Sequence, residues 1–191
     1  MAEKHWKPIS ASRFPWEQEA LDFVHAGFPA QDTYSAWSNF EFVADDGSIN
    51  EVDLLVACPQ GIFLIEIKGR PGVVTGDAQN WVWEHEGRKQ SDDSPLILAN
   101  RKCKRLKSLL LRQRAFRKAG EFPFIEPLVF LSHSEVRVHL QGIAASQICL
   151  RDQPAAPGKP ERPGILAAIR RRECPGLRPM NLPVVQRPEL R

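Results

Sequence analysis

Two short apolar runs joined by a tight turn constrain the fold of this chain more than any other feature. The runs cover Val52 to Ala57 and Ile62 to Ile67, and Pro59-Gln60-Gly61 lies between them. Proline suits the second position of a type I turn and glycine the fourth, so the sequence predicts a β-hairpin. Because both faces of each run are apolar, we expect these strands in the middle of a sheet that is covered on two sides.

Three charged side chains lie near the open end of this hairpin. A symmetric pairing across the turn places Asp53 directly opposite Glu66, with Cβ atoms about 5 Å apart. Glu66 and Lys68 are two residues apart, so they point to the same face of their strand. We therefore expect Asp53, Glu66 and Lys68 to share one face of the sheet.

Two facing carboxylates in an apolar setting repel each other unless a cation lies between them. Divalent ions such as Mg²⁺ prefer oxygen ligands, so Asp53 and Glu66 are candidate ligands for Mg²⁺ or Mn²⁺. Lys68 would add a positive charge beside the ion or beside a phosphate. Such a set suits phosphodiester hydrolysis, in which a metal ion and a fixed cation stabilise the charge of the transition state. The alternative is a strand-end salt bridge between Glu66 and Lys68, with Asp53 unrelated.

The rest of the chain predicts an α/β domain. Apolar residues recur at helical spacing over residues 14–26 and again over about 96–119. Short apolar or alternating runs predict further strands, at residues 37–43, 72–75, 80–84, 128–131 and 143–150.

The composition changes after Leu150, where prolines become frequent. We assign residues 1–150 to one domain and residues 151–191 to a linker or C-terminal extension. A short helix is predicted within that extension, over residues 165–172.

The second long helix carries a run of basic residues from Arg101 to Lys118 with no acidic residue among them. Such a run favours a polyanionic partner, although a solvated helix face is the alternative. We predict that the following residues contact nucleic acid: Arg101, Lys102, Lys104, Arg105 and Lys107.

Other sequence features limit the class of protein. No apolar run reaches the ~18 residues that a membrane helix needs, and the N-terminus has no apolar signal core. The cysteines are far apart and form no CxxC pair, which argues against a zinc site. We expect a cytoplasmic protein with free thiols and no membrane partner.

The hairpin sequence resembles the nuclease-related domain, NERD. The resemblance rests on residues 50–56 and 61–69, on Gly76 and Trp81, and on Ser94-Pro95-Leu96, which is similar to the family's Asn-Pro-Leu segment. It covers about residues 14–150. It implies the restriction-endonuclease-like fold of the PD-(D/E)xK group, an α/β fold with a mixed central β-sheet flanked by helices.

The resemblance also implies site residues. Asp53, Glu66 and Lys68 match the core motif positions of the group. A glutamate on the first helix often completes such sites; Glu17 is the best match, and Glu19 is the alternative. Val52 stands in place of the proline of the PD motif, and Leu98 stands where relatives often have glutamine.

The N-terminal region is also similar to that of PglW-type kinases, which belong to phage-growth-limitation and BREX-type defence systems. That similarity rests on Phe14-Pro15-Trp16-Glu17 and on residues 172–177. This similarity implies a kinase domain or other defence-system proteins as candidate partners. Together with the nuclease-related resemblance and the expected Asp53, Glu66 and Lys68 geometry, it leads us to expect a Mg²⁺-dependent hydrolase of nucleic acid, with DNA favoured over RNA and the choice between them left open by the sequence. The alternative is a non-catalytic nucleic-acid-binding or targeting module of a larger kinase-containing protein.

Overall fold

The computed structural model describes residues 5–113, 116, 122–140, 143–152 and 164–171. The strands in chain order are β1 (Trp6–Pro8), β2 (Ser35–Val43), β3 (Ile49–Cys58), β4 (Gly61–Lys68), β5 (Gly72–Gly76), β6 (Asn80–His85), β7 (Arg88–Asp93), β8 (Ile125–Leu131), β9 (Val136–Leu140) and β10 (Ile148–Cys149). The helices are α1 (Pro15–Gly27), α2 (Pro95–Leu111), α3 (Ile143–Ser146) and α4 (Ile165–Arg171).

Within these residues the strands form two sheets. The larger has the order β1-β2-β3-β4-β8-β10, and the smaller has the order β7-β6-β5-β9. The larger sheet is mixed, because β3 is antiparallel to β2 and β4 whereas β4 is parallel to β8. The mixed central sheet flanked by helices confirms the predicted fold class.

The β3–β4 hairpin has the predicted register. Leu54 pairs with Ile65, and the pairing continues symmetrically to Cys58 and Gly61 at the turn. Strand β4 is buried along its whole length except at Lys68. It lies between β3 and β8, as its apolar character on both faces requires.

Helices cover the two faces of the larger sheet. On one face α1 and α4 pack against β3 and β4 in a cluster that includes Leu21, Leu54, Ile65 and Ile169. On the other face α2 packs through Ala99, Cys103 and Leu106, within a cluster that also contains Leu64. No helix among the described residues is long and apolar enough to cross a membrane.

The starts of the two long helices follow from their sequences. Pro15 lies in the first turn of α1, where its missing N–H has no helical partner to lose. Ser94 caps α2 by accepting a hydrogen bond from the Leu96 N–H, and Pro95 follows in the first turn. Helix α2 ends at Leu111, and most of residues 114–121 lie outside the described residues.

Some elements differ from the sequence-based expectations. Residues 143–150 are not one strand; they form the short helix α3 and the two-residue strand β10. Strand β7 was not predicted because all of its residues are exposed and it carries no alternating apolar pattern. The helix predicted after residue 150 is present as α4, and its Ile165 and Ile169 are fully buried in the main core. Residues 153–163 and 172–191 of the predicted extension lie outside the described residues.

Candidate active site

Asp53 lies where β3 separates from β4. The β3–β4 pairing extends from the turn as far as Leu54 and Ile65, one residue short of Asp53. At that point the Asp53 carboxylate replaces the backbone pairing, because its Oδ2 accepts a hydrogen bond of 2.7 Å from the Ile67 N–H. The side chain is thereby tied to the strand that carries Glu66 and Lys68.

The regular alternation of side chains between the two faces of the sheet is also interrupted at Asp53 in β3. Residues two apart in a regular strand point to the same side, yet Val52 packs in the α2 cluster and Leu54 in the α1 cluster. Asn39 of β2 lies opposite Asp53, between the pairs Ser38–Leu54 and Phe40–Val52. The backbone φ of Asn39 is 52°. Asparagine tolerates this left-handed backbone better than most residues, so it accommodates the local distortion.

Glu66 is buried and is held by two ammonium groups. Lys68 Nζ lies 3.0 Å from Oε1, and Lys102 Nζ lies 2.7 Å from Oε2. The Lys68 side chain is 34% exposed, whereas that of Lys102 is only 8% exposed. The predicted pair of Glu66 and Lys68 is therefore present, and helix α2 adds a second lysine to it.

Asp53 and Glu66 differ in their proton affinity. Burial, followed by the negative charge of Glu66, raises the pKa of Asp53 to about 7. Burial alone would also raise the pKa of Glu66, but the charges of Lys68 and Lys102 and their hydrogen bonds outweigh burial and lower it. Around neutral pH the site therefore holds one firmly ionised carboxylate and one that is near its titration point.

Glu17 and Asp53 line one cavity of about 380 Å³. Glu17 Oε1 accepts a hydrogen bond of 2.7 Å from Ser12 Oγ. The Asn39 amide, oriented to satisfy both neighbours, donates to the same oxygen at 3.1 Å and accepts from the Ser12 N–H. Glu19, the alternative candidate, instead forms an exposed ion pair with Arg151. The geometry thus brings Glu17, not Glu19, beside the Asp53 cavity.

A second cavity, of about 360 Å³, opens beside Glu66 and Lys68. Its walls come from the smaller sheet and from the first turns of α2, and they include Trp83, Leu98 and Arg101. Leu98 is 44% exposed there, an unusual position for a large apolar side chain. Trp81 and Trp83 are themselves 2% and 6% exposed, so they support the wall by packing.

The start of helix α1 packs onto the end of β4. Gly69 follows Lys68 directly, and a Cβ at Gly69 would lie 2.5 Å from a ring atom of Trp16. Trp16 also stacks on Phe14, with ring centroids 5.6 Å apart. This close contact holds the first turn of α1, with Glu17, against the strand that carries Glu66 and Lys68.

The basic residues of α2 differ in exposure and pairing, whereas the sequence suggested one exposed basic face. Lys102 is not on the exposed face as expected; it is buried because it lies within the apolar stripe and pairs with Glu66. Arg105 is engaged by Asn50 Oδ1 at 3.0 Å and by Asp46 Oδ2 at 2.7 Å. Arg101 and Lys104 are exposed and Lys107 is half-buried, so these three remain available to a polyanion.

The donor set suits a metal that needs few protein ligands. Among the described residues, no group of three or more His, Cys, Asp or Glu side chains is placed to hold a metal ion. Mg²⁺ commonly takes only one or two carboxylates and completes its shell with water and phosphate oxygens. Asp53 and Glu66 fit that requirement, and the repulsion that raises the pKa of Asp53 is what a divalent ion would relieve.

The mixed sheet, its flanking helices and the acids at the end of its hairpin define a restriction-endonuclease-like class of protein. The model of the nuclease-related domain, NERD, matches residues 12–132, and the chain belongs to this family. It is 39% identical over 118 residues to "Probable kinase PglW" of Streptomyces coelicolor. That match covers 61% of this chain but only 8% of the much longer relative. No solved structure gives a significant match.

Sequence reasoning missed two residues of the site. Lys102 could have been found, because positions 99, 102, 103 and 106 follow the i, i+3, i+4, i+7 spacing of a buried helix face. A lysine at such a position requires a buried acidic partner. Asn39 carries no comparable signal, since its role depends on the distortion opposite Asp53.

Proposed function

We propose that this chain is a divalent-metal-dependent phosphodiester hydrolase that acts on nucleic acid, DNA in preference to RNA. The observation that carries the proposal is that Asp53 is bonded to the strand end that holds the Glu66–Lys68 pair, where the charges of both residues act on it. Membership of the nuclease-related family supports it.

Each residue has a distinct role in this proposal. Asp53 and Glu66 would hold Mg²⁺ or Mn²⁺, which supplies Lewis-acid chemistry to the phosphoryl group and the attacking water. Lys68 places a positive charge beside Glu66 Oε1, where it stabilises the negative charge that develops on the phosphoryl oxygens. Glu17 would support the site from the cavity that it lines together with Asp53.

The same proposal assigns a surface to the nucleic acid. Arg101 lines the cavity that contains Glu66 and Lys68, and Lys104 and Lys107 continue along α2 from it. These side chains would neutralise phosphates on either side of the bond to be cut, so binding would weaken as the salt concentration rises. Lys102 and Arg105 have no part in this surface because their charges are already paired.

A cleavage assay with Mg²⁺ or Mn²⁺ on single- and double-stranded DNA and RNA tests the proposal. We expect Lys68→Ala to lower the rate at least ~100-fold, the usual effect of removing a group that stabilises transition-state charge. Lys89→Ala is the matched control, because Lys89 is 66% exposed on β7 and pairs with Glu84. Equal cleavage by wild type and Lys68→Ala would remove the assignment of this site.

A second candidate function is a non-catalytic nucleic-acid-binding or targeting module of a larger kinase-containing defence protein. One observation favours it: both oxygens of Glu66 are already bound by lysines. The long relative, named a probable kinase, offers such a context. Binding of DNA without cleavage, and without any stabilisation by Mg²⁺ or Mn²⁺, would favour this function over hydrolysis.

A further inference from the structure

Lys102 is the least expected side chain of the candidate site. It belongs to α2, which packs on one face of the larger sheet, and its ammonium group reaches Glu66 Oε2 at 2.7 Å. Its side chain is 8% exposed and that of Glu66 is 6% exposed. A lysine buried to this degree is rare without an ionised partner, so the pair fixes Glu66 from the side that Lys68 does not reach.

Lys102 also changes the charge of the site. Asp53, Glu66 and Lys68 alone would carry a net charge of one negative unit when ionised, which attracts a divalent cation. With Lys102 the two carboxylates face two ammonium groups, and both lysines act on Asp53 as well as on Glu66. When both acids are ionised, these four groups together are neutral before any metal binds, so their attraction for divalent ions is reduced.

The position of Lys102 restricts where an ion can lie. A cation beside Glu66 Oε2 would have to displace an ammonium group that is enclosed by α2 and β4. Asp53 differs, because its Oδ2 accepts only a backbone N–H and no described residue donates to its Oδ1. An ion shared by the two acids would therefore lie beside Asp53 and Glu66 Oε1, where Lys68 is partly exposed, and the place of a second ion beside Glu66 Oε2 is taken by Lys102.

We propose that Lys102 is a positioning residue that occupies the place of a second metal ion, limiting the site to one weakly held divalent cation. This inference rests on the proposed function, since it concerns the metal that Asp53 and Glu66 would share.

Direct binding of Mn²⁺ tests the inference without any assay of cleavage. The measurement is the number of Mn²⁺ ions bound per chain and their Kd, by titration with detection of free Mn²⁺ by electron paramagnetic resonance. We expect one ion in the wild type. In Lys102→Gln, which keeps a hydrogen-bond donor but removes the charge, we expect binding at least ~10-fold tighter. Lys89→Gln should bind as the wild type does, because Lys89 is exposed on another sheet.

The direction of the change in Mn²⁺ affinity distinguishes a positioning role of Lys102 from damage to the fold. A variant that merely loosens the structure binds the metal more weakly, whereas removal of a competing charge makes binding tighter. Two ions per wild-type chain would overturn the inference whether or not Lys102→Gln folds. Equal or weaker binding by folded Lys102→Gln would overturn it as well. The proposed metal site itself fails by a different result: no binding by either protein, or binding that Asp53→Asn leaves unchanged.

Discussion

The two acids of the candidate site are neighbours across one hairpin, yet they lie in opposite electrostatic surroundings. Glu66 is held by Lys68 at 3.0 Å and Lys102 at 2.7 Å, and its pKa is lowered although it is buried. Asp53 has a single backbone N–H as its described hydrogen-bond donor, and burial together with Glu66 raises its pKa to about 7. Glu66 is thus a fixed anion, whereas Asp53 loses its proton near neutral pH.

The difference arises from the strands that carry the two acids. Strand β4 lies between β3 and β8, and its end at Glu66 and Lys68 faces α2, which supplies Lys102. Strand β3 turns away from β4 at Asp53, so that this acid reaches back to the Ile67 N–H instead of meeting a lysine. A metal site built this way has one rigid ligand and one whose charge depends on pH.

Removal of each negative charge should therefore affect stability in opposite directions, and this is the largest effect that we expect. Glu66→Gln leaves the buried ammonium group of Lys102 and the partly exposed one of Lys68 without their carboxylate, and we expect it to lower the free energy of unfolding by about 3 kcal/mol. Asp53→Asn removes a repelled charge while its amide oxygen can still accept from Ile67. We expect a gain of about 4 kcal/mol at pH 8, because the wild type then carries this buried and repelled charge.

Urea unfolding at pH 8 without metal measures both variants, and Asp22→Asn serves as control because Asp22 is exposed on α1. Both site variants should lose at least ~100-fold in cleavage rate, so activity alone would not distinguish them. Equal destabilisation by Asp53→Asn and Glu66→Gln would contradict the asymmetry between the two acids.

Asp53 and Glu66 should also affect the pH dependence of stability in opposite directions. Between its ordinary pKa of 3.8 and about 7, Asp53 binds a proton in the folded state but not in the unfolded state. Stability should therefore fall as the pH rises through this range, by on the order of 4 kcal/mol, and then level off. Glu66 acts in the other direction, because its contribution is present above its ordinary pKa of 4.5 and is lost as the pH falls below that value.

Thermal unfolding at intervals from pH 2.5 to pH 8 separates the two acids. Asp53→Asn should lose the decline between pH 4 and pH 7 and retain the loss of stability at lower pH. A decline of the same size in Asp53→Asn and wild type would show that another group is responsible.

How far the sequence predicts this site depends on which contacts are local. The turn residues Pro59 and Gly61 set the register of β3 and β4, so the approach of Asp53 to Glu66 follows from the fourteen consecutive residues 53–66. Lys102 lies 36 residues from Glu66, and its position depends on how α2 packs on the sheet. The run of basic residues suggested one exposed face. In the folded chain Lys102 instead pairs with Glu66 in the candidate site, Arg105 pairs with Asp46, and other basic residues of α2 face solvent.

The same distinction between local and tertiary determinants applies to the elements of the fold. Strongly periodic elements such as α1 and β4 were predictable because one face or both faces are buried. Strand β7 is polar and exposed throughout and is a strand only because β6 pairs with it. Its position still matters to function, since Asp92 and Asp93 line the cavity beside Lys68.

Metal binding should remove most of the repulsion at Asp53, and its effect should depend on pH. At pH 8 a concentration of Mg²⁺ or Mn²⁺ about 100 times the Kd should stabilise the folded chain by about 2.7 kcal/mol. At pH 5.5 the gain should be smaller, because Asp53 is mostly protonated below a pKa of about 7 and a proton then competes with the ion. Thermal unfolding with and without the ion at both pH values measures this difference. Equal stabilisation at pH 5.5 and pH 8 would exclude Asp53 as a ligand.

The smallest expected effect concerns the two glutamates of α1. Glu17 lines the cavity that contains Asp53 and is held there by Ser12 and Asn39, whereas Glu19 pairs with Arg151 away from it. A charge that supports a metal ligand without binding the reacting group contributes less to the reaction rate than the ligand does. We therefore expect Glu17→Gln to lower the cleavage rate about 10-fold. Glu19→Gln is the matched control and should cleave as the wild type does. If Glu19→Gln instead were the slower variant, the alternative assignment on the first helix would be the correct one, and the Asp53 cavity would have no part in the reaction.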